Sequence, residues 1–345
     1  MTAYELDPLQ DSRWLTFIDN HAQATAFHTP SWLEVLRRTY GYEPLVLTTA
    51  APGEPLRDGL VMCRVKSWIT GRRAVSLPFS DHCQPLVESD ESFQYLLSVA
   101  KRNANEHRIR CLEIRPLSLP GDNSDGLQIT GSFCLHHLDL RPTVTELYQG
   151  FHKDCIQRKI SRANREGLRY EQGRSESLLD QFYRLMVMTR QRHQLVPQPL
   201  AWFHNVIDCM SEMATIRVAS KNGHPVAAML TLSYRDTVIY KYGCSDKRFS
   251  NLGGMQLLFW RAIEEAKQRG LHGFDLGRSD WDNPGLLRFK DRLGAKRSTL
   301  SYWRCGREVI NVGTVILKRL STRLFAQMPT RLLPLAGRLV YRHMS

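Results

Sequence analysis

Asn251-Leu-Gly-Gly254 stands directly before an apolar-periodic run that closes at Gly270, and Phe274-Asp-Leu-Gly-Arg-Ser-Asp-Trp-Asp282 follows it. A glycine turn that opens a helix leaves backbone N–H groups unpaired and adds the positive end of the helix dipole, which together suit a phosphate. Asn251, Gly253 and Gly254 are therefore candidate donor-binding residues, although two glycines also serve a plain turn. The pattern is neither Gly-x-Gly-x-x-Gly nor the lysine-bearing phosphate loop, which argues against a dinucleotide enzyme and an NTPase.

The chemistry that fits these residues is transfer of an activated acyl group to an amine. Such a reaction needs a deprotonated amine, alignment with the carbonyl and a stabilised oxyanion. Asp280 and Asp282 are candidates to take the amine proton or to hold the ammonium form, and Arg278 to pair with a phosphate. Lys290 offers an ammonium for a phosphate or a tetrahedral oxyanion. Solvated loop charges are the competing reading for all of these. Asp275, opposite in strand phase to Phe274 and Leu276, reads as a structural anchor.

Acceptor candidates are more dispersed. Tyr240 and Tyr242 alternate along a strand and either line a groove or pack. Arg158, Arg162, Arg165 and Arg169 fall on one helical face at spacings of four, three and four. That face requires an anionic partner, internal acids such as Glu166 and Glu171, or water. Ser80-Asp81-His82 resembles a triad only in composition, because immediate neighbours rarely align for relay; Ser80 and Asp81 stand as substrate-contact or loop residues.

The elements that must position these groups follow from periodicity and punctuation. Pro30 opens and Gly41 stops a helix over 29–40, and strands are expected at 44–49, 59–65 and 74–77. A helix over 91–107 leads into a strand at 109–114, a loop covers 115–132, and a strand covers 134–139. Helices follow at 153–169, 178–192 and 200–213. Strands at 215–220 and 225–234 flank the Asn222-Gly223 turn, with another at 238–243. Then come a helix at 254–269, a strand at 273–276, a helix at 284–293 and a strand at 299–305.

Size and charge bound the partners. The 345 residues, 42% of them hydrophobic, suit two domains. The net charge of +13 is concentrated: residues 153–174 hold seven Lys or Arg against three acids, and the last 35 residues hold six basic residues and no acid. The eight cysteines show neither a CxxC pair nor metal-ligand spacing, and the acidic start shows no secretion signal, so free thiols, no metal site and a cytoplasmic location are expected. No apolar run is long enough for a membrane span. The basic tail, 311–345, reads as an amphipathic segment that rests on an anionic inner-membrane face or packs on the body.

Several segments together resemble the FemA/FemB/FemX-type aminoacyltransferases and their shorter relatives with an acetyltransferase-like domain. They are Thr29-Pro-Ser-Trp32, Ser76-Leu-Pro-Phe-Ser-Asp81, Lys159-Ile-Ser-Arg-Ala-Asn-Arg-Glu-Gly167, Phe182-Tyr-Arg-Leu185, Thr189-Arg-Gln-Arg-His193, Asn251-Leu-Gly-Gly254, Asp275-Leu-Gly277 and Gly285-Leu-Leu-Arg-Phe-Lys290 with Gly294-Ala295. The likeness spans roughly residues 14–305. It implies α/β (α+β) architecture: tandem GNAT-like acyl-CoA N-acyltransferase domains with mixed central sheets flanked by helices. The domains would be 1–149 for the acceptor, 150–310 for acyl transfer, and 311–345 as the tail. It also implies that Phe289 and Lys290 assist the reaction, Phe289 from the donor side. The sequence lacks the long coiled-coil arm of some members and the Arg-x-x-Gly-x-Gly/Ala signature of ordinary acetyl-coenzyme A enzymes.

The expected enzyme is thus an N-acyltransferase or aminoacyltransferase acting on an amine of a cell-envelope or polysaccharide-related acceptor. Acyl-CoA or aminoacyl-tRNA would be the donor substrate, with no tightly bound cofactor. An anionic small-molecule or lipid-linked substrate and tRNA are the expected partners. A nucleic-acid-binding protein using the arginines of 153–169 and a non-catalytic assembly factor of the same fold are the alternatives.

Overall fold

A computed structural model describes residues 2–68, 70–119, 126–306, 341 and 343. The basic tail expected over 311–345 therefore lies, but for two residues, outside the described residues. Among the described residues the chain divides into two units, one formed by residues up to Phe133 with 300–306, 341 and 343, the other by Cys134–Thr299. The division falls upstream of the expected 149/150 boundary because the strand ending at Asp139 already pairs inside the second unit.

In the first unit, β1 (Tyr4–Leu6), α1 (Ser12–Asn20) and α2 (Pro30–Tyr40) precede β2 (Glu43–Thr48), β3 (Leu60–Ser67) and β4 (Gly71–Val75). Next come α3 (Asp90–Glu106) and β5 (Cys111–Ile114). The chain then runs through β6 (Gln128–Asp139), α4 (Val144–Gly150), α5 (Arg158–Arg165) and β7 (Arg169–Gly173). The second unit continues with α6 (Glu176–Arg192), α7 (Leu200–Met210), β8 (Ala214–Lys221), β9 (His224–Tyr234) and β10 (Thr237–Ser245). It closes with α8 (Gly254–Gln268), β11 (Gly273–Ser279), α9 (Pro284–Asp291) and β12 (Lys296–Gly306).

Each unit runs strand, two helices, three antiparallel strands, helix, parallel strand. Strand order is β1-β2-β3-β4-β5-β12 in the first and β7-β8-β9-β10-β11-β6 in the second. Both sheets are mixed, because β4 with β5 and β10 with β11 are parallel and linked through a helix. The last strand in each order is distant in sequence from its neighbour: β12 pairs with β5 through Trp303–Gly306, and β6 with β11 through Cys134–Asp139.

Local chemistry explains several boundaries. Thr29 caps α2, its hydroxyl accepting from the Trp32 N–H at 3.2 Å, Pro30 takes the first turn, and Gly41 ends the helix at φ +69. The helix expected over 153–169 is shorter: a wide turn over Lys153–Gln157 leads into α5, and Leu168 turns inward to start β7. Arg169 consequently leaves the helical face and joins a strand. Strands β1 and β7 and the start of β6 inside the expected 115–132 loop carry little periodicity of their own, whereas the unexpected helices α1 and α4 have local signals, the Asp11 cap with Trp14 and Ile18 four apart, and the Thr143–Glu146 capping box. The strands form because neighbours pair with them, as Tyr4–Leu6 does along β2.

The second core gathers Val238, Phe274 and Leu276 of the sheet under Leu258, Phe259, Ala262 and Ile263 of α8. Buried aliphatic or aromatic side chains each contribute about 1.5–3 kcal/mol. Polar ties add direction: Glu265 of α8 accepts from Arg217 at 2.7 Å and from the Tyr170 hydroxyl, fixing α8 against β7 and β8. In the first unit, Glu113 lies between Arg115 at 2.7 Å and Arg304 at 2.6 Å. Burial alone would raise its carboxyl, but the two guanidinium groups outweigh it and hold the pKa at about 2.

His28 gives the first unit a pH dependence. Its ring is fully buried, Nδ1 accepts from the Thr25 N–H at 3.0 Å, and Nε2 faces the Gln84 carbonyl at 2.9 Å. That pairing requires the neutral ring, and burial pushes the pKa down to about 4. A histidine whose folded pKa is depressed binds fewer protons folded than unfolded between the two values. Its stabilisation is therefore present above its unfolded value and is lost as pH falls. Between about pH 7 and pH 4.5 this group alone should remove about 2–3 kcal/mol. Urea unfolding of the wild type against His28→Gln should show that part of the acid slope disappearing in the variant; equal slopes would refute the assignment.

Candidate functional site

Strands β10 and β11 pair only from Thr237 to Ile239 with Gly273 to Asp275. Beyond that point β10 carries a bulge between Tyr240 and Tyr242. Strand β11 is irregular between Asp275 and Arg278, around Gly277 at φ +71. A cleft of about 330 Å3 opens where the pairing stops. Its lining includes Val226, Ala227, Tyr240 and Gly243 from the sheet, Gly254, Met255 and Gln256 from the start of α8, and Leu286 and Phe289 from α9. Thr189, Arg192 and His193 line it from the end of α6.

The turn before α8 has the form an anion site needs. Gly253 adopts φ +80 and no side chain caps the helix, whose first turn holds no acid. A Cβ on Gly253 would overlap the Lys159 carbonyl, and one on Gly254 would stand 3.0 Å from Ala227 Cβ. Both glycines are required by close packing as well as by the left-handed turn. Lys159 also donates to the Asn251 carbonyl at 3.2 Å, so α5 holds the turn from below. Asn251 itself is exposed and outside the lining of the cleft.

Helix α3, which follows β4 and precedes the parallel strand β5, provides an internal contrast. Ser89 caps it and Asp90 and Glu91 occupy its first turn, so its positive end is already answered. The β4–β5 junction is also stitched shut, by Ser76 N–H to the Glu113 carbonyl at 2.8 Å and Cys83 N–H to the Arg115 carbonyl at 2.7 Å.

The two tyrosines part company. The bulge sends Tyr240 toward α8, with its ring 4.9 Å from Phe259, and Tyr242 to the other face, where its ring packs on Phe203 and its hydroxyl accepts from Trp202 Nε1 at 3.0 Å. Tyr242 is therefore a core residue of the α6–α7 side, the packing alternative of the two that its alternation with Tyr240 left open. Tyr240 lies in the cleft beside Gly243, where any Cβ would collide with its hydroxyl. Burial raises its pKa, keeping the phenol protonated. That hydroxyl has no hydrogen-bond partner among the described residues.

Lys290 is 1% exposed, and its ammonium donates to the carbonyls of Gly277 at 2.8 Å and Arg278 at 3.2 Å. Asp275 accepts from the Gly277 N–H at 2.7 Å, so the kink of β11 is held from both sides. Asp275 is an anchor, as expected, and Lys290 positions the cleft wall from within rather than facing open space. Arg278, Asp280 and Asp282 are exposed on the strand end and loop that follow, outside the lining of the cleft. The neighbouring Phe289 ring does line it, 5.4 Å from Phe259.

Helix α9 is also fixed, at the residue next to Lys290, by a group the sequence did not single out. Fully buried His136 sits 3.2 Å from Asp291, which also pairs with Arg297. Burial lowers the His136 pKa, and Asp291 partly opposes this. Only the fold brings β6 beside α9; the alternation Cys134, His136 was the available signal.

The remaining candidates lie apart from this cleft. Arg158 pairs with Asp154 at 2.7 Å, and Arg162 stands 3.8 Å from Glu166, so internal acids answer part of the basic face. Ser80 and Asp81 belong to the first unit. The Ser80 hydroxyl donates to the Leu77 carbonyl at 2.7 Å, and the Asp81 carbonyl accepts from Tyr302 at 2.7 Å, a loop arrangement without a nucleophilic relay. Among the described residues no group of side chains has metal-ligand geometry, and no helix is long and apolar enough to cross a membrane.

A parallel pair that parts beside a glycine-led helix defines a GNAT-like acetyltransferase fold, a mixed sheet flanked by helices. A family model described as an acetyltransferase (GNAT) domain matches residues 152–291, the segment that holds the cleft. The structure of FemX is similar over 93% of this chain and 100% of its own, with a TM-score of 0.70 at 14% identity. A tandem GNAT protein from the clavulanic acid biosynthesis pathway aligns over 88% of this chain and 98% of its own, with a TM-score of 0.57 at 12% identity. L-PGS from Bacillus licheniformis covers 78% of this chain and 86% of its own, with a TM-score of 0.51 at 16% identity. Among curated proteins none matches the sequence.

Replacing Lys290 by Met should leave two buried carbonyls without their donor and cost about 1–3 kcal/mol. Chemical denaturation should show this as a lowered midpoint at unchanged slope; an unaltered midpoint would mean that the ammonium does not hold the kink.

Proposed function

We propose that the chain is an acyl- or aminoacyltransferase that seats a phosphate-bearing activated donor in the β10–β11 cleft and passes its acyl group to an amine. The observation that carries this reading is the uncapped, acid-free start of α8 opening into that cleft, set against the capped and acidic start of α3. Backbone N–H groups of Gly254, Met255 and Gln256 would receive the donor's phosphate, and Phe289, Leu286 and Tyr240 would enclose its apolar arm.

In the reaction the amine nitrogen attacks the donor carbonyl, a C–N bond forms, and the C–S or C–O bond to the leaving group breaks. The Tyr240 phenol is the proton donor for the developing oxyanion or the departing group. The amine proton passes to solvent or to Asp280 or Asp282. Asn251 and Arg278 remain outer contacts for a longer donor. The acyl-CoA and aminoacyl-tRNA alternatives share this chemistry.

The two units form a tandem GNAT-like pair in this reading, on the ground of their identical succession of elements and of the likeness to a tandem GNAT protein. With its β4–β5 junction closed, the first unit is left for the acceptor, with Ser80 and Asp81 as contacts; Arg158 and Arg162 of the second unit stay acceptor candidates in their own right. An envelope or polysaccharide-related amine as the acceptor follows from the resemblance to the FemA/FemB/FemX type.

Calorimetric titration with acetyl-CoA, and filter binding of aminoacyl-tRNA, should show binding of at least one donor. Gly254→Val should weaken that binding at least tenfold, because its methyl groups meet Ala227 and Val226 where phosphate would sit. If neither donor binds, the reading fails. With a donor identified, Tyr240→Phe should lower kcat by about 10²–10³ with donor affinity nearly unchanged; an unaltered kcat would remove Tyr240 from the chemistry.

A further inference from the structure

The hairpin joining β3 to β4 presents an indole to solvent. Trp68 at its tip is 86% exposed, whereas Trp14, Trp32 and Trp202 are fully buried. A large apolar ring in that position has no share in the core, and what sets it apart from an ordinary single exposed hydrophobic is the charge around it.

The surroundings of the tip are cationic. Lys66 and Arg72 stand directly opposite each other across the hairpin, an arrangement of like charges that repels. Arg110 joins them, its N–H bonded to the Arg72 carbonyl at 2.9 Å and its side chain lying over Gly71. Glu43 answers Lys66 at 2.5 Å. Arg72 and Arg110 are exposed and have no carboxylate partner among the described residues.

The end of the chain meets the same place. The His343 ring is 5.4 Å from Trp68, its Nδ1 is 2.9 Å from the Ser67 hydroxyl, and its carbonyl accepts from Arg73 at 3.3 Å. His343 thus meets this tip, and it belongs to a last stretch of 35 residues that holds six basic residues and no acid.

We propose that the β3–β4 tip docks on an anionic lipid surface, Trp68 entering the headgroup layer while Lys66, Arg72 and Arg110 meet lipid phosphates. An indole suits that depth because its ring is apolar and its N–H polar. A bilayer fits better than nucleic acid, since a strand-binding groove sets several aromatics in succession along its cations. The inference is independent of the donor cleft, whose residues belong to the second unit.

Co-sedimentation of the full chain with vesicles of phosphatidylcholine, with and without about 30 mol% phosphatidylglycerol, tests it. Binding should require phosphatidylglycerol and fall with salt. Trp68→Ser should weaken it about tenfold, and serine at Lys66, Arg72 and Arg110 about fivefold per cation, with circular dichroism and donor binding unaltered. No binding to the anionic vesicles, equal binding to both vesicle types, or full binding by Trp68→Ser would each overturn the proposal. So would binding of tRNA that depends on these residues while vesicles are ignored.

Discussion

Everything that gives the second unit a site depends on the short pairing of two parallel strands. Once β10 and β11 have exchanged the bonds of three residue pairs, a bulge on one and a glycine kink on the other stop the ladder. Polar backbone left unpaired inside a protein is costly. The fold meets that cost with specific partners: Asp275 takes the Gly277 N–H, and Lys290 takes the carbonyls of Gly277 and Arg278. A buried ammonium at such a point is best understood as the tie that lets the strands part.

Helix α8 supplies the other half of the arrangement. It is pressed onto the sheet by Phe259, Ala262 and Ile263 and steered by the contact of Glu265 with Arg217. Its first turn can lie at the mouth of the cleft because Gly253 and Gly254 tolerate an approach that any side chain would block. In the first unit the same succession of elements gives a different result. Ser89, Asp90 and Glu91 neutralise the positive end of α3, and the 76–83 segment continues the pairing between β4 and β5. Two units of like topology thus differ at the same junction through a few capping and turn residues.

Strong local signals marked the elements that matter most. The Thr29-Pro30 start and Gly41 stop of α2, the Asn222-Gly223 turn, and the β10-α8-β11 crossover all follow from residues adjacent in sequence. Elements with weak signals, such as β1 and β7, depend on partners distant along the chain. The contribution of His136 to α9 belongs with these, because 155 positions separate it from Asp291. Alternation left Tyr240 and Tyr242 to line a groove or to pack, and a single bulged residue decides which face each takes.

The sequence by itself determined the kinds of groups present and their local geometry: a glycine turn before a helix, an acid anchoring a strand, and a basic stretch without acids. Those features arise from interactions between near neighbours, which spacing records. Only the tertiary structure decided that Lys290 points inward, that Tyr240 alone of the two tyrosines reaches the cleft, and that β5 and β11 each pair with a strand far from them in sequence. Those outcomes rest on which backbone groups find partners across the sheets, and spacing along one chain cannot encode them.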